Sequence, residues 1–203
     1  MAKITALFWD VGGVLLTDAW DRSQRKKAIE RFALDEEEFD ERHIMLVSSF
    51  ERGKISLDRY LAQVIFYCPR AFTIEEFKHF MFSLSKPTPP VLKFAHSLSQ
   101  TRQFLMATIN NESLELNAYR IHTFGLRQIF SLFISSCFVG LRKPEEGIYQ
   151  LALNLTQKRP EECCFVDDRA LNLDCASRLG MRVIRMEDLN QLRRELAGLG
   201  VEA

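Results

Sequence analysis

The chain has no excess of charge of either sign: 27 Lys+Arg stand against 27 Asp+Glu, a formal net charge of zero. Proteins that hold nucleic acid or an anionic membrane present a basic surface, and that footprint is missing at whole-chain level. Nor is there an apolar run near the ~20 residues that a membrane span requires. The first residues, MAKITALFWD, read as a strand and lack the basic, apolar and small-residue regions of a signal peptide. The five cysteines (Cys68, Cys137, Cys163, Cys164 and Cys175) are odd in number and contain no CxxC pair. That pattern disfavours a zinc site or a disulfide framework and fits reduced, buried thiols. Internal repeats and low-complexity segments are also missing. These absences lead us to expect a cytoplasmic protein with no nucleic-acid or membrane partner; we take it as a monomer or homodimer, which no sequence feature decides.

What is present is ordinary globular material: 203 residues, 47% hydrophobic and 27% charged, enough for one core and a small insertion. ITALFW is too short an apolar run for a helix and meets a Gly-rich turn at once, so it predicts a buried strand. Residues 20–85 then show helical periodicity only. Ala28, Ile29 and Phe32 share one face of a first helix. Asp35 with Glu38 predicts a capping box for a second helix that runs toward Arg52 and stops at Gly53. Ser56 predicts the cap of a third helix through about Tyr67, and Thr73 with Glu76 that of a fourth. The prolines of KPTPP end this block. Beyond it, strands at 103–108, 132–136, 163–166 and 182–185 alternate with helices at 91–98, 113–123, 144–154, 171–179 and 189–197. Such alternation implies an α/β fold, a doubly wound parallel sheet, interrupted after its first strand by a four-helix cap.

Ligands of open parallel sheets sit beyond the carboxyl ends of the strands. The residues predicted there converge on one chemistry. Asp10 follows the first strand; Thr108, Asn110 and Asn111 the second; Lys143 comes soon after the third; Asp167 and Asp168, with Asn172 one turn on, follow the fourth. Asp10, Asp167 and Asp168 are hard oxygen ligands suited to Mg²⁺, which relieves their mutual repulsion. Lys143 pairs with a phosphate and keeps Asp10 ionised, while Thr108 offers a hydroxyl donor. Gly12 and Gly13 leave room for a close turn. Taken one at a time, an Asp after a strand can be a simple turn cap and a Lys before Pro a solvated loop residue. Their convergence at one end of one sheet argues for a shared site.

These stretches resemble the motifs of the haloacid dehalogenase (HAD) superfamily over nearly the whole chain. FWDVGGVL resembles its first motif, with Asp10 as nucleophile, and MATINN its second, with Thr108. GLRKPEEGIY is similar to the third, with Lys143, and CCFVDDRALNLDCASRLGM to the fourth, with Asp167, Asp168 and Asn172. FERGKISLDRY resembles a segment of bacterial sugar-phosphate phosphatases such as the glucose-1-phosphate phosphatase subgroup. The phosphatase domain of soluble epoxide hydrolases has the same layout. The resemblance implies a Rossmann-like core at 1–16 and 89–203, with a cap at 17–88. It implies Mg²⁺ held by Asp10, the Gly12 carbonyl, Asp167 and Asp168, and a small phosphorylated substrate bound by Thr108, Ile109, Asn110 and Lys143. Asp10, Lys143 and Thr108 would be catalytic, with an aspartyl-phosphate forming on Asp10.

Two positions depart from the pattern. Gly12 stands where such phosphatases usually carry a second, acid/base Asp, though the sugar-phosphatase subgroup also has glycine there. Ile109 stands where Asn commonly follows the Ser/Thr, so that Asn110 or Asn111 would have to substitute. A 2-haloacid dehalogenase and a phospho-ligand-binding pseudo-enzyme remain alternatives. The cap residues expected to reach the site are Asp18, Trp20, Arg22, His43 and Glu51.

Overall fold

The computed structural model describes residues 2–18 and 20–202. The first strand, β1 (Ala6–Trp9), is followed by four helices, α1 (Arg22–Phe32), α2 (Glu36–Glu51), α3 (Leu57–Val64) and α4 (Ile74–Ser83). Alternation then sets in with α5 (Pro89–Gln100), β2 (Leu105–Asn110), α6 (Leu114–Thr123) and β3 (Leu132–Ser135). A short α7 (Ser136–Val139) and α8 (Glu146–Thr156) lead to β4 (Cys163–Asp167), α9 (Ala170–Arg178), β5 (Arg182–Arg185) and α10 (Leu189–Gly198). The five strands form one parallel sheet in the order β3-β2-β1-β4-β5. The chain is α/β, as its alternating pattern requires.

The sheet is buried on both faces, which explains why its strands read as unbroken apolar runs. Leu7, Trp9, Met106, Cys164 and Val166 pack beneath α5 and α10. Their alternate neighbours Ala6, Phe8, Ala107, Cys163 and Phe165 pack beneath α8 and α9. All five cysteines are free and four of them are buried. Among the described residues no helix is long and apolar enough to cross a membrane.

Helices α1–α4 have a core of their own, with Trp20, Phe39, Phe50, Tyr60, Leu61 and Phe77 at its centre. The chain enters and leaves this layer through two segments lying side by side. Thr17 N donates to Lys86 O at 2.8 Å, Lys86 N donates to Thr17 Oγ1 at 2.9 Å, and Thr88 N donates to Leu15 O at 2.9 Å. Buried Arg120 braces this hinge from the core, donating to Thr17 O and, at 3.0 Å, to Glu112 Oε2.

Several local expectations need correction. Thr73 and Glu76 form a full capping box, but Asp35 caps α2 alone. Glu38 is drawn instead to Tyr67 Oη and to Arg42, 3.0 Å away. Helix α3 stops at Val64, three residues short of expectation. Pro89 and Pro90 do not lie outside a helix but begin α5, where a missing N–H costs nothing. Strand β2 continues to Asn110 instead of ending at Thr108, and the helix after Lys143 begins only at Glu146.

Candidate active site

Asp10 is the first residue past β1 and is fixed from both sides. Its N–H donates to Val166 O of β4 at 2.8 Å, and its Oδ1 accepts Val11 N at 2.7 Å. Lys143 Nζ lies 2.9 Å from Asp10 Oδ1 and 2.6 Å from Asp167 Oδ2, so one ammonium bridges two carboxylates. Asp167 is wholly buried and its oxygens are occupied. Oδ1 accepts Arg169 N at 2.8 Å, and Asn172 Nδ2 lies 3.0 Å from both oxygens. Asp168 differs: its Oδ1 is sealed from solvent yet has no hydrogen-bond partner. A buried carboxylate oxygen left without a donor points to a ligand that supplies positive charge.

Glycine is required beside Asp168. Gly13 has φ +73°, and a Cβ there would meet Asp168 Oδ2 at 2.6 Å. Gly12 shows no such positive φ. Its carbonyl accepts no main-chain hydrogen bond among the described residues, because the turn uses Val11 O and Leu16 O. The donor set therefore comprises Asp10, Asp167 and Asp168, whose oxygens lie within 4.8 Å of one another, with the free Gly12 carbonyl nearby. Three carboxylates sharing one lysine form a cluster of hard oxygens, which fits a divalent cation such as Mg²⁺.

The electrostatics follow from burial. Desolvation pushes Asp10 from its ordinary 3.8 up to about 7; Asp167 adds to the rise, and Lys143 only partly offsets it. Asp168 is also raised, by burial and by Asp167. Burial opposes the charge on Lys143, but Asp10 and Asp167 together hold its pKa above the ordinary value. The lysine is thus a permanent cation.

Lys143 sits on the loop between α7 and α8, not at a helix start. Asn111 clamps its main chain at two points: Lys143 N donates to Asn111 Oδ1 at 2.8 Å, and Asn111 Nδ2 donates to Lys143 O at 2.9 Å. Asn111, next to β2, thereby places the lysine supplied by the neighbouring loop.

The second motif contributes less to the site than its resemblance implies. Thr108 pairs with Trp9 inside β2, is fully buried, and its hydroxyl has no partner. Ile109 points to the opposite core face. Asn110 is directed toward β3 and α6, donating to Asn117 Oδ1 at 3.1 Å and accepting Ser135 Oγ at 2.8 Å. None of these three side chains lines the cavity that contains Asp10. The structure brings Asp10, Lys143, Asp167 and Asp168 together beside Gly12, while Thr108, Ile109 and Asn110 do not line the cavity.

That cavity, about 380 Å³, lies between the sheet's carboxyl end and the α1–α4 layer. The five expected cap residues Asp18, Trp20, Arg22, His43 and Glu51 all line it. Sequence reasoning missed Asp21, Arg25, Val47, Phe50, Arg142 and Arg169, which line it too. A signal existed for two of them: residues 43, 47, 50 and 51 recur at the spacing of one helix face. Arg142 Nη2 lies 2.7 Å from Glu51 Oε2, linking the loop after α7 to α2. Arg52 Nη1 donates to Gly140 O at 2.6 Å, and Ser136 Oγ donates to Glu51 O at 2.6 Å. Gly53, at φ +68°, allows this approach, since a Cβ there would overlap the Cys137 carbonyl. Burial raises the pKa of Glu51 despite Arg142. Burial together with Arg25 and Arg142 lowers that of His43 to about 4.

A parallel five-stranded sheet whose carboxyl end bears an Asp/Lys/Asp-Asp cluster beneath a helical layer defines an α/β protein with an acidic, metal-type centre. Residues 4–180 match the model of the haloacid dehalogenase-like hydrolases, and the chain belongs to that family. It is 28% identical over 169 residues to flavin mononucleotide hydrolase 1 of Arabidopsis thaliana, covering 79% of this chain and 64% of that protein. It is 28% identical over 215 residues to bifunctional epoxide hydrolase 2 of Sus scrofa, covering 97% of this chain and 38% of that protein. The chain therefore spans less than two thirds of the length of either relative. A HAD family enzyme of Bacteroides thetaiotaomicron, solved with magnesium and inorganic phosphate, superposes with a TM-score of 0.76 at 22% identity. That match covers 93% of this chain and 98% of the other and establishes the shared fold.

Proposed function

We propose that the protein is a Mg²⁺-dependent phosphatase of small phosphate monoesters, sugar phosphates among them, working through an aspartyl-phosphate on Asp10. In this reading residues 1–16 and 89–203 form the catalytic core and residues 17–88 the cap. The observation that carries it is the Lys143 ammonium bridging Asp10 and Asp167 while the sealed Oδ1 of Asp168 has no partner. Mg²⁺ would be held by Asp10, the Gly12 carbonyl and Asp168, with Asp167 positioned behind them by its hydrogen bonds; bound there it neutralises charge on the phosphoryl oxygens. The magnesium and phosphate of the Bacteroides neighbour support the same assignment.

Each residue then has a task. Asp10 Oδ1 is occupied by Val11 N and Lys143. Oδ2 receives no donor among the described residues and is the oxygen free to bond phosphorus as the ester P–O bond breaks. Water next attacks phosphorus, passing one proton to the carboxylate that protonated the leaving group; the Asp10–phosphorus bond breaks and phosphate leaves. Lys143 holds the cluster's positive charge, and Asn111 keeps that lysine in register. The alkoxide leaving group must gain a proton that Gly12 cannot give. Among the residues facing the site from the α1–α4 side, Asp18 and Glu51 each pair with an arginine, at 3.7 Å and 2.7 Å, and His43 is uncharged near neutrality. Glu51 is the carboxyl whose burial favours the protonated form, and we assign it this proton.

A 2-haloacid dehalogenase works without a metal, whereas the Asp10, Asp167 and Asp168 cluster with its unpartnered Asp168 oxygen calls for a cation. A phospho-ligand binder without turnover has no use for an activated Asp10. A panel of phosphate monoesters with Mg²⁺ or EDTA, run on wild type and Asp10→Asn, tests the proposal. Metal-dependent phosphate release that disappears in the variant is expected. Equal activity in EDTA, halide release from 2-haloacids, or Mg²⁺ binding without turnover would overturn it.

A further inference from the structure

Three aromatic residues of the cap form a chain of hydrogen bonds that ends at the cavity. Trp20, ahead of α1, donates Nε1–H to Tyr60 Oη of α3 at 2.9 Å. Tyr60 Oη lies 2.7 Å from Nδ1 of His43 on α2. The phenol is fully buried, so its own hydrogen needs an acceptor inside the protein. An indole N–H can only donate, which leaves His43 Nδ1 as the acceptor of the Tyr60 proton among the described residues. Nδ1 is therefore unprotonated, and the neutral ring carries its hydrogen on Nε2.

Nε2 has no protein partner among the described residues and is not sealed from solvent, and His43 lines the cavity beside Val47, Phe50 and Glu51. The wall behind it is stiff. Phe50 stacks on Tyr60 at 4.1 Å with the rings 6° apart, and Trp20 packs edge-on against Phe77 at 5.9 Å. Since Trp20 and Tyr60 have spent their polar atoms on each other and on His43, the wall offers one free N–H. The charged groups nearest in effect, Arg25 of α1 and Arg142 of the core loop, oppose a second positive charge on the imidazole. The other cationic donors around the cavity, such as Arg22 and Arg169, suit anionic groups. His43 alone on this wall offers an uncharged donor.

We propose that His43, its tautomer fixed by Tyr60, is a specificity-determining residue whose Nε2–H selects phosphate esters with a neutral acceptor oxygen, such as a hydroxyl, on the leaving group. This rests on the phosphatase reading of the site. A purely structural histidine joining three helices would make the same internal bonds, so the test must read more than stability.

Two measurements on the Mg²⁺-loaded protein do so. Long-range ¹H–¹⁵N NMR, with the His43 signals assigned through His43→Gln, is expected to show the neutral Nε2–H tautomer at pH 7, and Tyr60→Phe should mix the tautomers. Kinetics then compare glycerol and hexose phosphates with phenyl and 4-nitrophenyl phosphate, whose leaving groups carry no spare hydroxyl. One hydrogen bond between uncharged groups corresponds to roughly 3–10-fold. His43→Ala should lower the kcat/KM ratio of hydroxylated to phenyl ester by about that factor, mainly through KM, and His43→Gln should recover part of it. An imidazolium or an Nδ1–H tautomer overturns the proposal, as does an unchanged ratio. A fall in the phenyl to 4-nitrophenyl ratio instead would make His43 a proton donor and also overturn it. If wild type hydrolyses no ester, the phosphatase reading fails and takes the selection role with it, whatever tautomer the spectrum shows.

Discussion

Asp10→Asn should stabilise the metal-free protein at alkaline pH while abolishing turnover. Asp10 is 11% exposed and lies beside Asp167, and these surroundings lift its pKa from 3.8 to about 7. Between those values the native state holds a proton that the unfolded chain has released. Stability contributed by this group is fully present below about pH 4, falls as pH rises through about 7, and is then constant. Three units at about 1.4 kcal/mol each set a ceiling near 4 kcal/mol, and water reaching the carboxylate reduces it. Asparagine keeps the shape without the charge, so its advantage should be about 1–4 kcal/mol at pH 8 and vanish near pH 4. Urea unfolding in EDTA across that pH range measures it. Added Mg²⁺ should reverse the order, because the wild type then gains binding energy that the variant lacks. A variant less stable than wild type at pH 8 in EDTA, or an advantage independent of pH, would refute the reasoning.

Other consequences follow from single contacts. Gly13→Ala forces a Cβ into the left-handed region and to within 2.6 Å of Asp168 Oδ2; a loss of about 1–2 kcal/mol and weaker Mg²⁺ binding by calorimetry are expected. Arg120→Ala strands the buried Glu112 carboxylate and unbraces Thr17; denaturant unfolding should show a cost of about 3–5 kcal/mol. Glu51→Gln should slow alkyl phosphates by ~10²–10⁴-fold and 4-nitrophenyl phosphate far less. Adding Gly12→Asp to that variant should restore part of the rate, since position 12 has no positive φ to bar a side chain.

Much of this architecture was legible because its signals are local. ITALFW and CCFV are short apolar runs that end in Asp, too brief for ordinary helices, and both carry buried strands. Helices α1–α4 showed themselves by helical periodicity and by capping residues at Asp35, Ser56 and Thr73, all of which cap in the structure. Strand ends were harder to place. In LMATIN every residue after Leu105 is buried, so no alternation marks where the strand stops, and Thr108 was assigned to an end it does not occupy. Its neighbour Asn111 reaches the site by clamping another loop's backbone, a contact 32 residues away in sequence that no motif spacing encodes. Arg142 and Arg25 were missed for the same reason: their places come from helices α1–α4 lying over the sheet's carboxyl end. Lys143 was visible as a residue but not as the bridge between two carboxylates, which depends on β1 and β4 being neighbours.

The bond formed at Asp10 can be trapped and read directly. Turnover of a hydrolysable ester with Mg²⁺ should be quenched in acid, reduced with borohydride, and the peptides read by mass spectrometry. An acyl phosphate reduces to homoserine, so residue 10 should convert when ester and Mg²⁺ are both present and stay Asp when either is withheld. Full turnover with residue 10 never converted, or with the label on another side chain, would contradict the assignment of Asp10 as the nucleophile.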